Sequence, residues 1–159
     1  MRKPRTLSRR GLVGGTAAIA LAGRAAAQPA SGIRGFDHVA LPMQNTDAML
    51  AFYRGLGLQV NETAAACSVY MGSQMINFHR PVTWQRETFI LRAPAAKPPC
   101  GDLCFVWEGT AEALKAWLDR GGAKIIEGPV ARQGGRQKAA SSVYVRDPDG
   151  NLLEFMIYP

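Results

Sequence analysis

The chain has 159 residues, enough for one domain with a sizeable core. Its formal charge of +7 would suit a nucleic-acid partner. However, six of the 19 basic residues (Arg2, Lys3, Arg5, Arg9, Arg10 and Arg24) lie in the first 27 positions, which hold no acid, and the rest of the chain sets 13 basic against 12 acidic residues. No basic stripe falls on a predicted helix or hairpin, so nucleic-acid binding is set aside.

Taken in chain order, residues 1–27 read as a signal peptide. A basic start leads into a weakly apolar stretch from Leu12 to Gly23, and "AAAQ" supplies a small-residue cleavage site after Ala27. The apolar stretch is about twelve residues, too short to span a bilayer, so stable membrane insertion is not expected. "SRRGLV" resembles a twin-arginine export signal, which implies a bacterial protein delivered folded to the periplasm. Residues 28–33 then form a flexible segment, and the domain is expected over 34–159.

The domain contains an internal repeat. "FDHVALPMQNTDAMLAFYRGLGLQVNE" starts at Phe36 and "GDLCFVWEGTAEALKAWLDRGGAKIIE" at Gly101. Asp37 and Asp102, Ala51 and Ala116, Gly57 and Gly122, and Glu62 and Glu127 all match at an offset of 65. Each copy reads as an apolar strand, a capped amphipathic helix, a glycine stop and another strand. Asn45 or Thr46 can cap the first helix, and Met49, Phe52 and Tyr53 form its apolar face. "CSVYMG" and "QMINFH" follow as two strands joined by a Gly-Ser turn. Residues 81–100 then act as a linker or lid, in which "ETFILRA" suits a short strand or a helical turn equally.

In the second copy Thr110 caps a helix whose inner face holds Ala113 or Leu114, with Trp117 and Leu118. The loop "GPVARQGGRQKAAS", with Arg132, Arg136 and Lys138, is expected to flank a cleft. "ASSVYVR" and "NLLEFMIY" form a hairpin around "DPDG". The fold class is therefore α+β: two pseudo-symmetric βαβββ modules, about 34–80 and 101–159, whose helices cover one side while the sheets curl around a cleft. Cys67, Cys100 and Cys104 form an odd set without a CxxC motif, so buried free thiols are expected and a structural zinc site is not.

Strand alternation selects the cleft residues. In "FDHVALP", Val39 and Leu41 face the helix, so His38 and Ala40 face the cleft. Asn77 and His79 oppose the core pair Ile76 and Phe78. Glu154 shares the face opposite Leu153 and Phe155. By the same alternation Asp37 and Asp102 point to the helical side, in structural roles. Tyr70 and Tyr144 are candidates to line the cleft or to pack the core, with the core preferred. Trp84 and Phe89 are placed to cover a ligand. Taken singly, each histidine or the glutamate reads as a surface residue. On one shared face, two imidazoles and a carboxylate suit a divalent metal with open coordination positions.

"FDHVAL…FYRGLGLQV" and "VYVRDPDGNLLEF" together resemble the opening and closing of the vicinal oxygen chelate superfamily, the glyoxalase, bleomycin-resistance and extradiol dioxygenase fold, and its small single-domain glyoxalase-like members most closely. The resemblance covers nearly all of 34–159. It places the first-strand ligand on His38 and the last-strand ligand on Glu154. It places the other two on Asn77, a poor ligand, and Leu103, which cannot bind metal. His79, on the same face as Asn77, takes its place, so the implied set is His38, His79 and Glu154, with Glu154 also the candidate catalytic base. The implied cofactor is a divalent cation: zinc, nickel, manganese or iron. The implied function is a metal-dependent lyase, isomerase or dioxygenase acting on a small molecule held through vicinal oxygens. The alternative is a non-catalytic small-molecule binding or resistance-type protein. Two-fold dimers are common in the superfamily, which leaves a homodimer open.

Overall fold

Each repeat needs two elements to bury its apolar positions, one helix and one sheet, and the fold supplies both. The computed structural model describes residues 32–159. The first module runs β1 (His38–Pro42), α1 (Thr46–Gly55), β2 (Gln59–Glu62), β3 (Ala66–Met71) and β4 (Gln74–His79). A short helix, α2 (Pro81–Trp84), opens the joining segment. The second module runs β5 (Asp102–Trp107), α3 (Ala111–Arg120), β6 (Ile125–Gln133), β7 (Ala139–Arg146) and β8 (Leu152–Ile157). The expected signal peptide at 1–27, its cleavage point and most of the 28–33 segment lie outside the described residues. Among the described residues no helix is long and apolar enough to cross a membrane.

The strands make two four-stranded sheets, ordered β1-β4-β3-β2 and β5-β8-β7-β6, which do not close on each other. β1 runs parallel to β4 and β5 parallel to β8, while the other pairs are antiparallel. A parallel pair needs a long crossover, which α1 with β2 and β3, and α3 with β6 and β7, provide. This is the α+β pair of βαβββ modules expected.

The helices begin and end for local reasons. Thr110 caps α3 by accepting from Ala113 N at 3.2 Å. Both helices carry acid in the first turn (Asp47, Glu112) and base in the last (Arg54, Arg120), matching the helix dipole. Gly57 and Gly122 follow them with φ of 78° and 73°, a left-handed conformation that glycine takes without strain. Met49 and Tyr53 of α1 and Leu114 and Leu118 of α3 are buried in one continuous core with Val69, Ile76 and Phe78 of the first sheet and Val143, Val145, Leu153 and Phe155 of the second. Phe52, expected on the inner face, packs only at its edge.

"DPDG" does more than turn a hairpin. The buried Asp147 carboxylate accepts from Tyr53 OH of the other module at 3.0 Å and from Asn151 N and Nδ2 at 2.9 and 2.8 Å. Asp149 accepts from Gln44 N, Asn45 N and Asn45 Nδ2 at 2.7, 2.8 and 2.9 Å. Asn45 therefore spends its side chain on the other module, and α1 has no side-chain cap.

Several expectations need correction. Residues 87–93 form neither strand nor helix; a turn closed by Phe89 N donating to Arg86 O is followed by irregular chain. The glycine-rich segment around Arg132 is mostly strand, because β6 runs to Gln133 and β7 starts at Ala139. Gly128 there marks a register shift, and a side chain at that position would meet Ser142 O at 2.4 Å. Cys67 is buried, but Cys100 and Cys104 are exposed, and all three are unpaired.

Candidate functional site

The parallel register of β1 and β4 sets the first half of the site. His38 lies opposite Met75, Ala40 opposite Asn77 and Pro42 opposite His79, whereas Val39 and Leu41 face the core with Ile76 and Phe78. His38, Ala40, Asn77 and His79 therefore share the face turned away from the core, as alternation requires. His38 Nδ1 is paired with Asp37 Oδ1 at 2.7 Å. Asp37 is not packed toward the helices: its side chain is 90% exposed, and it orients His38 instead. His79 is half-buried, its Nε2 lies 3.4 Å from Asn77 Nδ2, and its ring meets Phe89 edge-on at 5.0 Å. Burial, followed by the charge of His38, pushes the His79 pKa down and favours the neutral imidazole that binds metals.

The second half lies on β5, β7 and β8. Glu154 is flanked by Cys104 on one side and Tyr144 on the other. Tyr144 OH donates to Glu154 Oε1 at 2.9 Å. Arg132 Nε donates to Tyr144 OH at 3.0 Å, and its guanidinium lies 5.6 Å from the centre of the Tyr144 ring. Tyr144 thus lies beside Glu154, outside the core cluster where it was expected. Burial of the sulfur, with the Glu154 carboxylate beside it, pushes the Cys104 thiol up to about 12.

The phase of β5 differs from the one the repeat suggested. Leu103 pairs with the core residue Leu153 and packs against the core, on the wall of a groove that Phe105 and Leu153 also line, and not on the face that carries Glu154. Asp102 and Cys104 occupy the opposite face with Glu154, so Asp102 does not point to the helices. The helices obey the 65-residue offset, but the connection from strand to helix differs by one residue, and a one-residue slip reverses every side chain of a strand. Cys104 was therefore missed. Phe105 and Trp107, phased as core partners of Leu103, would have found it.

The remaining candidates divide. Trp84 is buried, donates from Nε1 to Met43 O at 2.8 Å and lines a cavity of about 330 Å³ together with His79. Tyr70 lines a larger groove of about 960 Å³ that both His38 and Cys104 reach. Arg136 stacks on Tyr158 at 4.7 Å, at the tip of the β6–β7 hairpin. Among the described residues no three His, Cys, Asp or Glu side chains gather closely enough to hold a metal ion. His38 and His79 share a face but stand four register positions apart and open on different cavities, while Cys104 lies beside Glu154, so these donors do not by themselves fit a metal.

Paired βαβββ modules with donors on the outward faces of their sheets define a class, and the comparisons agree. Residues 35–155 match the Glyoxalase/Bleomycin resistance protein/Dioxygenase superfamily, and the chain belongs to it. It is 33% identical over 127 residues to the glyoxalase domain-containing protein RDO1 of Mycosarcoma maydis, covering 79% of this chain and 69% of that protein. It is 32% identical over 124 residues to the virulence protein STM3117 of Salmonella typhimurium, covering 77% of this chain and 83% of that one. The crystal structure of STM3117 superposes with a TM-score of 0.69 over 80% of this chain and 98% of that one. The lactoylglutathione lyase of Agrobacterium tumefaciens is 25% identical, with a TM-score of 0.57 over 82% of this chain and 96% of that one.

Proposed function

We propose that this chain is a metal-dependent lyase, isomerase or dioxygenase acting on a small molecule held through two adjacent oxygens, and that its metal set is shared between two copies. The observation that carries this reading is the division of the donors: His38 and His79 lie on one sheet, Glu154 and Cys104 on the other, and no three of them meet in one chain. A two-fold pair can bring the first set of each copy against the second set of the other, giving two equivalent sites. The lactoylglutathione lyase among the similar structures favours a lyase or isomerase within the class.

In this arrangement His38 and His79 of one copy and Glu154 of the other would hold a zinc, nickel, manganese or iron ion. Such an ion supplies Lewis acidity to the substrate oxygens when bound. The chain's own residues set up the donors. Asp37 occupies His38 Nδ1 and leaves Nε2 as the donor nitrogen. His79 is favoured in its neutral form. Tyr144 holds Glu154 Oε1, which leaves the second carboxylate oxygen for a metal or a substrate proton.

The test measures bound metal and oligomeric state. His38→Ala and Glu154→Ala should each lose most of the metal while remaining dimeric. Co-refolding the two variants should restore it in part. Random pairing makes about half the dimers mixed, and each mixed dimer holds one complete site and one doubly damaged one. Full metal retention in both variants would refute the ligand set, and a monomeric protein, or no recovery on mixing, would refute sharing between copies. Metal-free protein that still binds small molecules without turning them over would favour the resistance-type alternative. Export rests on the basic start, the apolar stretch from Leu12 to Gly23, the "AAAQ" site and "SRRGLV", and replacing Arg9 and Arg10 by lysine should hold the product in the cytoplasm.

A further inference from the structure

The joining segment 81–100 walls a cavity over the outward face of β1 and β4. Its volume, about 330 Å³, lies at the small end of the range for small-molecule pockets, roughly 300–1,000 Å³. An apolar cavity of about 150 Å³ already admits benzene, so this one has room for a substituted ring. The room exists because much of the lining is short: Ala40 on β1 and Ala93, Ala95 and Ala96 on the joining segment, together with Pro42 and Trp84.

The polar groups of the lining are turned to partners within the protein. Trp84 Nε1 donates to Met43 O at 2.8 Å. Arg92 Nη1 donates to Pro94 O at 3.0 Å, and Arg92 Nε is shut off from solvent and so from any ligand. Ala96 N donates to Ala93 O at 3.0 Å, which closes the turn that carries three of the alanines. None of the lining residues is acidic. The wall is therefore mainly carbon, and Leu91, which belongs to it, is still 79% exposed. A charged molecule entering this space loses its water and gains little in return, whereas an apolar one releases water from the wall and from itself.

We propose that this cavity binds the uncharged apolar part of a small molecule, an aromatic ring or a compact hydrocarbon group, and that it sets the substrate class of the site described above. His79 is the link to that site, since it lines the cavity and stands among the proposed donors. The role in substrate choice rests on that reading of the site; binding in the cavity does not. Ala40 and Ala95 set the size of the ligand, because a larger side chain at either position takes up its space.

Toluene and benzoate, which differ by a methyl against a carboxylate, test this by amide NMR titration of the purified protein in the presence of EDTA. Toluene should shift the amides of residues 91–96 and of Ala40 and Leu41 at concentrations below its solubility limit. Benzoate should bind at least about ten-fold more weakly, a modest share of the cost of burying an unpaired carboxylate. Ala40→Leu and Ala95→Leu fill the cavity from two different walls, and each should weaken toluene binding several-fold. No binding of toluene, benzoate binding as tightly as toluene, shifts clustered in the larger groove instead, or two folded variants that bind toluene as the wild type does would each overturn the proposal. The wild-type titration locates the ligand without requiring any variant to fold. Because EDTA removes metal, failure of the metal reading leaves this result intact, and failure here leaves the mixed-dimer experiment intact.

Discussion

Glu154 is an acid in an otherwise apolar final strand, and its neighbours explain how it is held there. Tyr144 donates to it, and Arg132 fixes Tyr144 from behind. Tyr144→Phe removes the donor while leaving the ring in place. Partners one step behind a metal ligand usually matter about 10–100-fold for affinity, so chelator competition should show metal bound that much more weakly, with little change in melting temperature. Unchanged metal affinity would make Tyr144 a packing residue. A second residue-scale prediction concerns Asp147. Burial raises its pKa above the ordinary carboxylate value of about 4. The folded state then binds the proton more tightly than the unfolded one, so the Asp147 contribution is complete below that value and is lost as pH rises through the folded pKa. Asp147→Asn should flatten this part of the stability curve, as followed by urea unfolding at a series of pH values. His38, His79 and Glu154 could all be assigned to the outward face from the sequence, because alternation about Val39, Ile76 and Leu153 is unambiguous. Cys104 and the bond from Tyr144 to Glu154 could not, because both depend on which strand lies beside which.

Helices are where the repeat is kept most faithfully: α1 and α3 have ten residues each and start at Thr46 and Ala111, at the offset read from the sequence. Strands tolerate the slip that helices do not, since the connection before each helix can absorb a residue. That is why the fold class was legible and the phase of β5 was not. α2 was also unforeseen. Four residues are too few for a periodic signal, and what holds the segment in place is tertiary, the bond from Trp84 Nε1 to Met43 O. The helices meet where glycine permits it. A Cβ at Gly121 would lie 2.4 Å from Leu56 Cδ2 and 3.3 Å from Leu56 Cα. Leu56 is itself buried, so it has little room to yield. Gly121→Ala should therefore destabilise the protein by about 1–3 kcal/mol despite the better helix propensity of alanine. Denaturant unfolding checks this, and an increase in stability would show that Leu56 moves aside freely.

At the scale of the molecule, the question is what makes two modules one folding unit. The shared core is one part of the answer, since Leu114 and Leu118 of α3 belong to the same cluster as Met49 and Tyr53 of α1. The other part is polar. Asp149 reaches across to Gln44 N, Asn45 N and Asn45 Nδ2 at the start of α1, while Asp147 takes the Tyr53 hydroxyl. The turn that closes the last hairpin thus fixes the chain where it enters the first helix, without reaching the N–H groups of the helix itself. Asp149→Ala strips two backbone donors and one side-chain donor of their acceptor, but the site is open enough for water to replace part of it, so a loss of about 1–2 kcal/mol is expected. Because the apolar core still spans both modules, unfolding should remain a single transition, with circular dichroism and tryptophan fluorescence coinciding. Two separated transitions would mean that the clamp, and not the core, couples the modules. No change in stability would mean that the clamp only fixes the angle at which α1 enters.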